Sequence, residues 1–124
     1  MKKVIATTNA PGAIGPYSQA IETGTFVYAS GQIPINPADG TIPAGITAQT
    51  AQSLSNVKAI LTEAGLTMDN VVKTTVFLAD MADFAAMNEV YAQAFSAPYP
   101  ARSAVAVRDL PKGVLVEIEV IALR

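Results

Sequence analysis

The fold is decided by the stretch VLVEIEVIAL at residues 114–123. Successive residues of a strand point to opposite faces of a sheet. One face of this strand is wholly apolar, with Val114, Val116, Ile118, Val120 and Ala122. The other face carries Leu115, Glu117, Glu119, Ile121 and Leu123. Three large aliphatic residues on that second face predict that it is covered by another copy of the chain, while helices cover the first face.

Two segments have the periodicity of helices that could cover the first face. One is predicted from an N-cap at Thr47 to about Ala64, with Gly65 ending it. Its apolar stripe is Leu54, Val57, Leu61 and Ala64. The other is predicted from about Ala82 to Phe95, and its stripe is Phe84, Met87, Tyr91 and Phe95.

The remaining segments are predicted strands. They cover residues 3–5, a hairpin of 19–22 with 25–30, then 71–78, 102–108 and 114–123. In the strand at 71–78, alternation puts Val72, Val76 and Leu78 on one face and Val71 and Phe77 on the other. The order of strands and helices predicts a single α+β domain over residues 1–124, with two helices on one face of a sheet.

Pairing the last two predicted strands as a hairpin buries their valines together, with Val105 opposite Val116. That register sets Ala104 opposite Glu117 and Arg102 opposite Glu119. The guanidinium would then lie beside two carboxylates on the second face. Such a cluster is either a structural ion pair at an interface or an anion-binding arginine with a carboxylate base. Spacing alone does not choose between the two.

The amino-acid composition excludes several kinds of catalytic site. Histidine and cysteine are both absent, which excludes Ser-His-Asp and Cys-His catalysis and the Cys/His zinc sites of nucleobase deaminases. Proton transfer must then use a carboxylate, lysine, tyrosine or a held water. Only 15% of residues are charged, against roughly 25% in typical soluble domains, which again favours self-association.

Charge and hydropathy argue against two kinds of partner. The net charge of −2 and the pI of about 4.9 give no basic footprint for nucleic acid. No apolar run approaches the 18 residues or so of a membrane span. The N-terminus lacks the apolar core of a signal peptide, so we expect a cytoplasmic protein.

Five motifs in order along the chain resemble the Rid family, the reactive intermediate deaminases, also called YjgF or endoribonuclease L-PSP. The motifs are AIGPYSQA (13–20), ASGQIP (29–34), NVVKTTVFL (70–78), YPARS (99–103) and VEIEVIA (116–122). The resemblance implies a chorismate-mutase-like (YjgF-like) fold with a mixed sheet. It also implies a homotrimer with active clefts between subunits.

The resemblance further implies hydrolysis of 2-iminobutanoate, 2-iminopropanoate or their enamine tautomers to 2-keto acids and ammonia. Family motifs assign the substrate carboxylate to Arg102 and the attacking water to Glu117. They place further substrate contacts at Tyr17, Ser30, Gly31, Asn88 and Ala104. No metal or cofactor is implied, because an imine carbon is already electrophilic.

Each of these contacts also has a purely structural interpretation. Tyr17 could pack an interface, Ser30 could end a strand, and Asn88 could be a solvated helix residue. Gly31 could simply permit a tight turn. Two features depart from the family pattern: Ala104 stands where many members have cysteine, and the segment between Phe95 and Tyr99 is shorter, which bears on substrate size.

Two other functions stay open at the level of sequence. One is a non-enzymatic, small-molecule-binding regulatory trimer, which would need the arginine but not a water-holding carboxylate. The other is an endoribonuclease or translation inhibitor, against which the acidic pI and the absence of histidine argue.

Overall fold

The computed structural model describes all 124 residues, which form one six-stranded sheet covered by two helices. The strands are β1 (Lys3–Ile5), β2 (Ala20–Glu22), β3 (Phe26–Gln32), β4 (Val71–Leu78), β5 (Ala101–Ala106) and β6 (Val116–Leu123). The helices are α1 (Ile46–Glu63) and α2 (Phe84–Ala94), with 3₁₀ turns at Met68–Asn70, Met81–Asp83 and Pro111–Gly113. The strand order is β1-β2-β3-β6-β4-β5. Only β4 and β5 pair in parallel, so the sheet is mixed and the α+β class is confirmed.

The core lies between the helices and one face of the sheet, as the apolar periodicity predicts. On β6 that face is Val116, Ile118, Val120 and Ala122, each no more than 2% exposed. The α1 stripe of Leu54, Val57, Leu61 and Ala64 is buried, and so are Met87, Tyr91 and Phe95 of the second stripe. Periods of 2 and 3.6 residues each bring one set of side chains to a single surface, which explains why these faces could be predicted.

The predicted start of each helix is wrong by one or two residues. Helix α1 begins at Ile46, because Gly45 with φ of 88° redirects the chain and no side chain caps the helix. Thr47 therefore lies inside the first turn. Helix α2 begins at Phe84 after a 3₁₀ turn, in which the Asp80 carboxylate accepts the Ala82 N–H at 2.8 Å.

The faces predicted at the start of β4 are reversed by a bulge. The register between β4 and β6 shifts between Val71 and Lys73. Val71 is consequently 6% exposed and belongs to the core, whereas Val72 is 41% exposed. An extra residue in one strand changes the alternation that sequence analysis assumes to be unbroken.

The predicted hairpin of the last two strands is wrong. Strand β5 pairs only with β4 and lies at the edge of the sheet, because α2 makes a crossover from β4 to a parallel strand. Arg102 is opposite Thr74 and Ala104 is opposite Val76. Both positions therefore lie on the helix-covered face, since Thr74 in turn pairs with buried Val120.

The second face of the sheet carries the apolar residues that the sequence predicts there. Phe77, Leu115 and Ile121 are half-buried, while Tyr28, Val105 and Leu123 are 44–46% exposed in the protomer. The predicted place of Val105 in the core is wrong, since it pairs with Phe77 on this outer face. Neither helix has the length and hydropathy to cross a membrane.

Candidate active site

Glu117 lies on the outer face of β6, directly opposite Phe77, at a cavity of about 500 Å3. Three irregular segments surround it: the loop before β2, the chain leaving β3 and the turn before β6. They contribute Tyr17 and Lys112, among others, to the cavity wall, and the irregular end of β3 contributes Ser30 and Gly31. The Glu117 carboxylate thus opens onto a space of small-molecule size whose wall is largely apolar and carries a few polar side chains.

Gly31 has no side chain, and this leaves space for the Glu117 carboxylate. Residues 30 and 31 form an irregularity where β3 pairs with β6, between Ala29 and Gln32. A Cβ built on Gly31 would lie 1.9 Å from Oε2 of Glu117. Gly31 does not adopt a positive φ, so a close approach, and not a special turn, is what requires glycine here.

The surroundings of Glu117 raise the pKa of its carboxyl group. Burial is the larger cause, because it disfavours the charged form, and the nearby Glu119 carboxylate adds to it. A carboxylate whose pKa moves toward neutrality is a stronger proton acceptor, which suits it to work as a general base.

Ser30 and Tyr17 are held at this cavity by local contacts. The Ser30 hydroxyl donates to the Ser18 carbonyl at 2.6 Å, and the Ser30 N–H donates to the Gln19 carbonyl. Tyr17 is 52% exposed, with its hydroxyl 3.4 Å from the N–H of Ile14. Its ring is therefore a wall of the cavity and not part of the protomer core.

Arg102 occupies a second site at the edge of the sheet, beside α2. Its Nη1 donates to Oδ1 of Asn88 at 2.7 Å. The guanidinium lies 4.7 Å from the centre of the Tyr91 ring and 5.5 Å from that of Phe84. Stacking on aromatic faces holds a guanidinium in one plane and leaves its other N–H groups to bind a planar anion.

Tyr91 connects this guanidinium to the core. The Tyr91 hydroxyl and the Thr74 hydroxyl form a buried hydrogen bond of 2.8 Å. A cavity of about 450 Å3 opens beside Arg102, with Asn88, Tyr91 and Tyr99 in its wall. The ring under the guanidinium is thus fixed at both ends, by the helix and by β4.

The candidate residues fall into two groups on opposite faces of one sheet. Tyr17, Ser30, Gly31 and Glu117 surround the first cavity. Asn88 and Arg102 line the second, and Ala104 lies on the same face as Arg102. The predicted cluster of Arg102 with Glu117 and Glu119 does not form within one protomer, because the hairpin that would create it does not exist.

Sequence analysis missed several residues at both sites. Phe84 and Tyr91 were predicted as core residues, and only the parallel β4–β5 pairing brings Arg102 over them. Lys112 lies in the 3₁₀ turn at Pro111–Gly113 with φ of 56° and lines the Glu117 cavity. Nothing in the local sequence pattern indicated that Lys112 would line this cavity.

No cluster of three acidic side chains that could ligate a metal occurs.

Known proteins share this fold and sequence over the whole chain. Residues 7–124 match the family described as Endoribonuclease L-PSP. A RutC family protein of Pyrococcus horikoshii is 58% identical over 125 residues, covering 100% of this chain and 99% of the relative. The 2-iminobutanoate/2-iminopropanoate deaminase of Escherichia coli K12 is 54% identical over 127 residues, covering 100% and 99%. Escherichia coli TdcF, crystallised with bound serine, superimposes with a TM-score of 0.96 at 53% identity, with 98% of each chain covered.

The fold and the chain-long matches define a small α+β protein of the YjgF fold. The chain belongs to the Endoribonuclease L-PSP family, that is, the Rid or YjgF family whose motifs it carries.

Proposed function

We propose that this protein is an imine deaminase that hydrolyses 2-iminobutanoate, 2-iminopropanoate and their enamine tautomers to 2-keto acids and ammonia. The observation that carries the proposal is Glu117, a carboxylate with a raised pKa that faces a cavity of small-molecule size. The 54% identity to a protein named for this reaction supports it. The serine bound to TdcF is a small amino acid with a carboxylate, as the proposed substrates are small carboxylates.

In the proposed reaction, Glu117 takes a proton from water as the water oxygen attacks the imine carbon. Glu117 passes that proton to the imine nitrogen, which gives a carbinolamine with hydroxyl and amino groups on one carbon. Glu117 then moves the hydroxyl proton to the nitrogen as the C–N bond breaks, so that ammonia leaves and the carbonyl of the keto acid forms. Arg102 binds the substrate carboxylate through two parallel N–H donors, each contributing about 1.5–3 kcal/mol.

The two sites act together if neighbouring protomers share each cleft. Arg102 and Glu117 lie on opposite faces of one sheet, so a single protomer cannot present both to one substrate. The apolar second face around Glu117, with Tyr28, Val105 and Leu123 exposed, is suited to packing against another copy. We propose a homotrimer in which one protomer supplies Arg102 and Asn88 and the next supplies Tyr17, Ser30, Gly31 and Glu117.

The test is to generate 2-iminobutanoate in situ with a threonine dehydratase and to follow keto-acid release with and without this protein. A marked acceleration that disappears in Glu117→Gln is the expected result. Binding of a 2-keto acid without acceleration would instead indicate a regulatory ligand-binding protein. Light scattering with size exclusion tests assembly, and a stable 12.9-kDa monomer would refute the shared cleft.

A further inference from the structure

The structure buries four side-chain carboxamides, those of Gln19, Gln32, Gln49 and Asn56, each no more than 6% exposed. All four hydrogen-bond to backbone groups in or next to the segments that surround the Glu117 cavity. Gln32 does so at Ser30 within its own strand β3, whereas the other three bond to backbone outside the helices and strands. Buried amides are thus concentrated around this cavity.

Gln19 holds the loop that precedes β2. Its Oε1 accepts the Thr7 N–H at 2.7 Å, and its Nε2 donates to the Thr7 carbonyl at 3.0 Å. The same Nε2 donates to the Pro11 carbonyl at 2.7 Å. Pro11 and Gly12 line the Glu117 cavity, so this one side chain replaces the strand partner that the loop lacks.

Asn56, on α1, holds the chain that leaves β3. Its Nδ2 donates to the carbonyls of Ile33 and Ile35, at 3.1 and 3.0 Å. Its Oδ1 accepts from Nε2 of Gln52 at 2.9 Å, which fixes the orientation of the amide. Ile33 and Ile35 both line the cavity.

Gln49, two helical turns earlier on the same helix, holds the approach to β6. Its Oε1 accepts the Leu115 N–H at 2.8 Å, and its Nε2 donates to the Pro43 carbonyl at 3.0 Å. Leu115 lies between Lys112, on the cavity wall, and Glu117 itself. The contact therefore connects the helix to the backbone just ahead of the carboxylate.

Irregular backbone needs hydrogen-bond partners that no ladder supplies. A carboxamide offers both a donor and an acceptor and carries no charge at any pH. We propose that Gln19, Gln49 and Asn56 are positioning residues that hold three separate wall segments and so fix the placement of the Glu117 carboxylate and of the water it holds. The catalytic part of this inference rests on the proposed deaminase function, whereas the effect on Glu117 does not.

The test compares Gln49→Met and Asn56→Leu with a control on the same helix, Val57→Ala. The two amide variants remove the backbone contacts. The control removes buried apolar volume from a side chain that is 0% exposed and does not line the cavity. Thermal unfolding, kcat and KM for imine hydrolysis, and an NMR titration of the Glu117 carboxyl carbon are measured on the assembled protein.

Both amide variants are expected to lower kcat by about tenfold to a hundredfold, because small misplacements of catalytic groups have effects of that order. They should also shift the pKa of Glu117 relative to wild type, as its burial and its distance to Glu119 change. Val57→Ala should lower the Tm yet keep both the wild-type kcat and the wild-type titration.

Amide variants that lose stability but keep the wild-type kcat and Glu117 titration would overturn the proposal. If the wild type does not hydrolyse imines, the proposed function fails, and the titration alone still decides whether the amides position Glu117.

Discussion

Gly31 and Glu117 are in such close contact that a Cβ on residue 31 would lie 1.9 Å from the Glu117 Oε2 and 2.8 Å from its Cδ. The contact joins β3 to β6 at the point where their register is irregular. Because the obstructing atoms are the free end of a side chain, a methyl group at 31 would displace the carboxylate and not the backbone.

Gly31→Ala should therefore lower activity far more than stability. We expect kcat for imine hydrolysis to fall about a hundredfold, in line with the cost of misplacing a catalytic group, while the Tm changes little. Gly12→Ala is the matched control, since Gly12 lines the same cavity and a Cβ there would meet no atom within 4 Å. Equal losses in both variants would show that the close approach has no special importance.

Replacing the proposed base tests the roles of the two carboxylates on β6. Glu117→Gln keeps the shape and removes the proton acceptor, so kcat should drop by about 10²–10⁴. Binding of a 2-keto acid should persist, because the proposed contact to its carboxylate is Arg102. Glu119→Gln, on the same face, should affect kcat much less. The assignment is reversed if the Glu119 variant is the inactive one when both are assayed together.

Arg102→Ala should almost abolish hydrolysis while the protein stays folded. Loss of a two-point carboxylate contact of roughly 3–6 kcal/mol corresponds to a fall of about 10²–10⁴ in kcat/KM. Arg102→Lys should recover little, because an ammonium cannot donate two parallel bonds or stack on Tyr91 in the same way. Circular dichroism checks folding, and a fully active lysine variant would exclude two-point capture.

Mixing two inactive variants tests whether neighbouring protomers share each cleft. Arg102→Ala and Glu117→Gln protomers, unfolded and reassembled together at equal ratio, should regain activity. With random assembly about a quarter of the clefts would pair an intact arginine with an intact glutamate. Each variant reassembled alone is the control. If each cleft is instead formed by a single protomer, every cleft lacks either Arg102 or Glu117, and the mixture stays inactive.

The pKa of Glu117 offers a second measure of the shared cleft. Within one protomer, burial and Glu119 both raise it, and no lowering influence of Arg102 is present. A guanidinium supplied by the neighbour would favour the ionised form. Arg102→Ala should then raise the Glu117 pKa further in the assembled protein, as followed by NMR titration. An unchanged titration would place the two groups apart.

The pKa of Glu117 also predicts how kcat/KM depends on pH. Glu117 must be ionised to accept a proton, so kcat/KM should rise with pH through its pKa and then level off. Burial and Glu119 raise that pKa in the protomer, whereas a guanidinium from the neighbour would lower it, so the acid limb should move to higher pH in Arg102→Ala. A wild-type profile without an acid limb, measured with the imine supplied at each pH, would contradict the role of Glu117.

Sequence analysis identified many residues of the candidate site, but it did not predict how these residues are arranged in space. The motifs identified Tyr17, Ser30, Gly31, Arg102 and Glu117 as candidate residues. They did not show that these residues divide between two faces of the sheet. The error came from one assumption, that the last two strands pair as a hairpin, and every cross-strand neighbour inferred from it was wrong in turn.

The sequence by itself determined which surfaces are apolar, since the period of each segment brings its own residues to one face. The burial of β6, α1 and α2 followed from that local rule. Only the tertiary structure decided strand order, the bulge that buries Val71, and the pairing of β5 with β4, because hydrogen bonding between strands joins residues far apart in the chain. For that reason the contact between Gly31 and Glu117, and the stacking of Arg102 on Tyr91, could be read only from the folded protein.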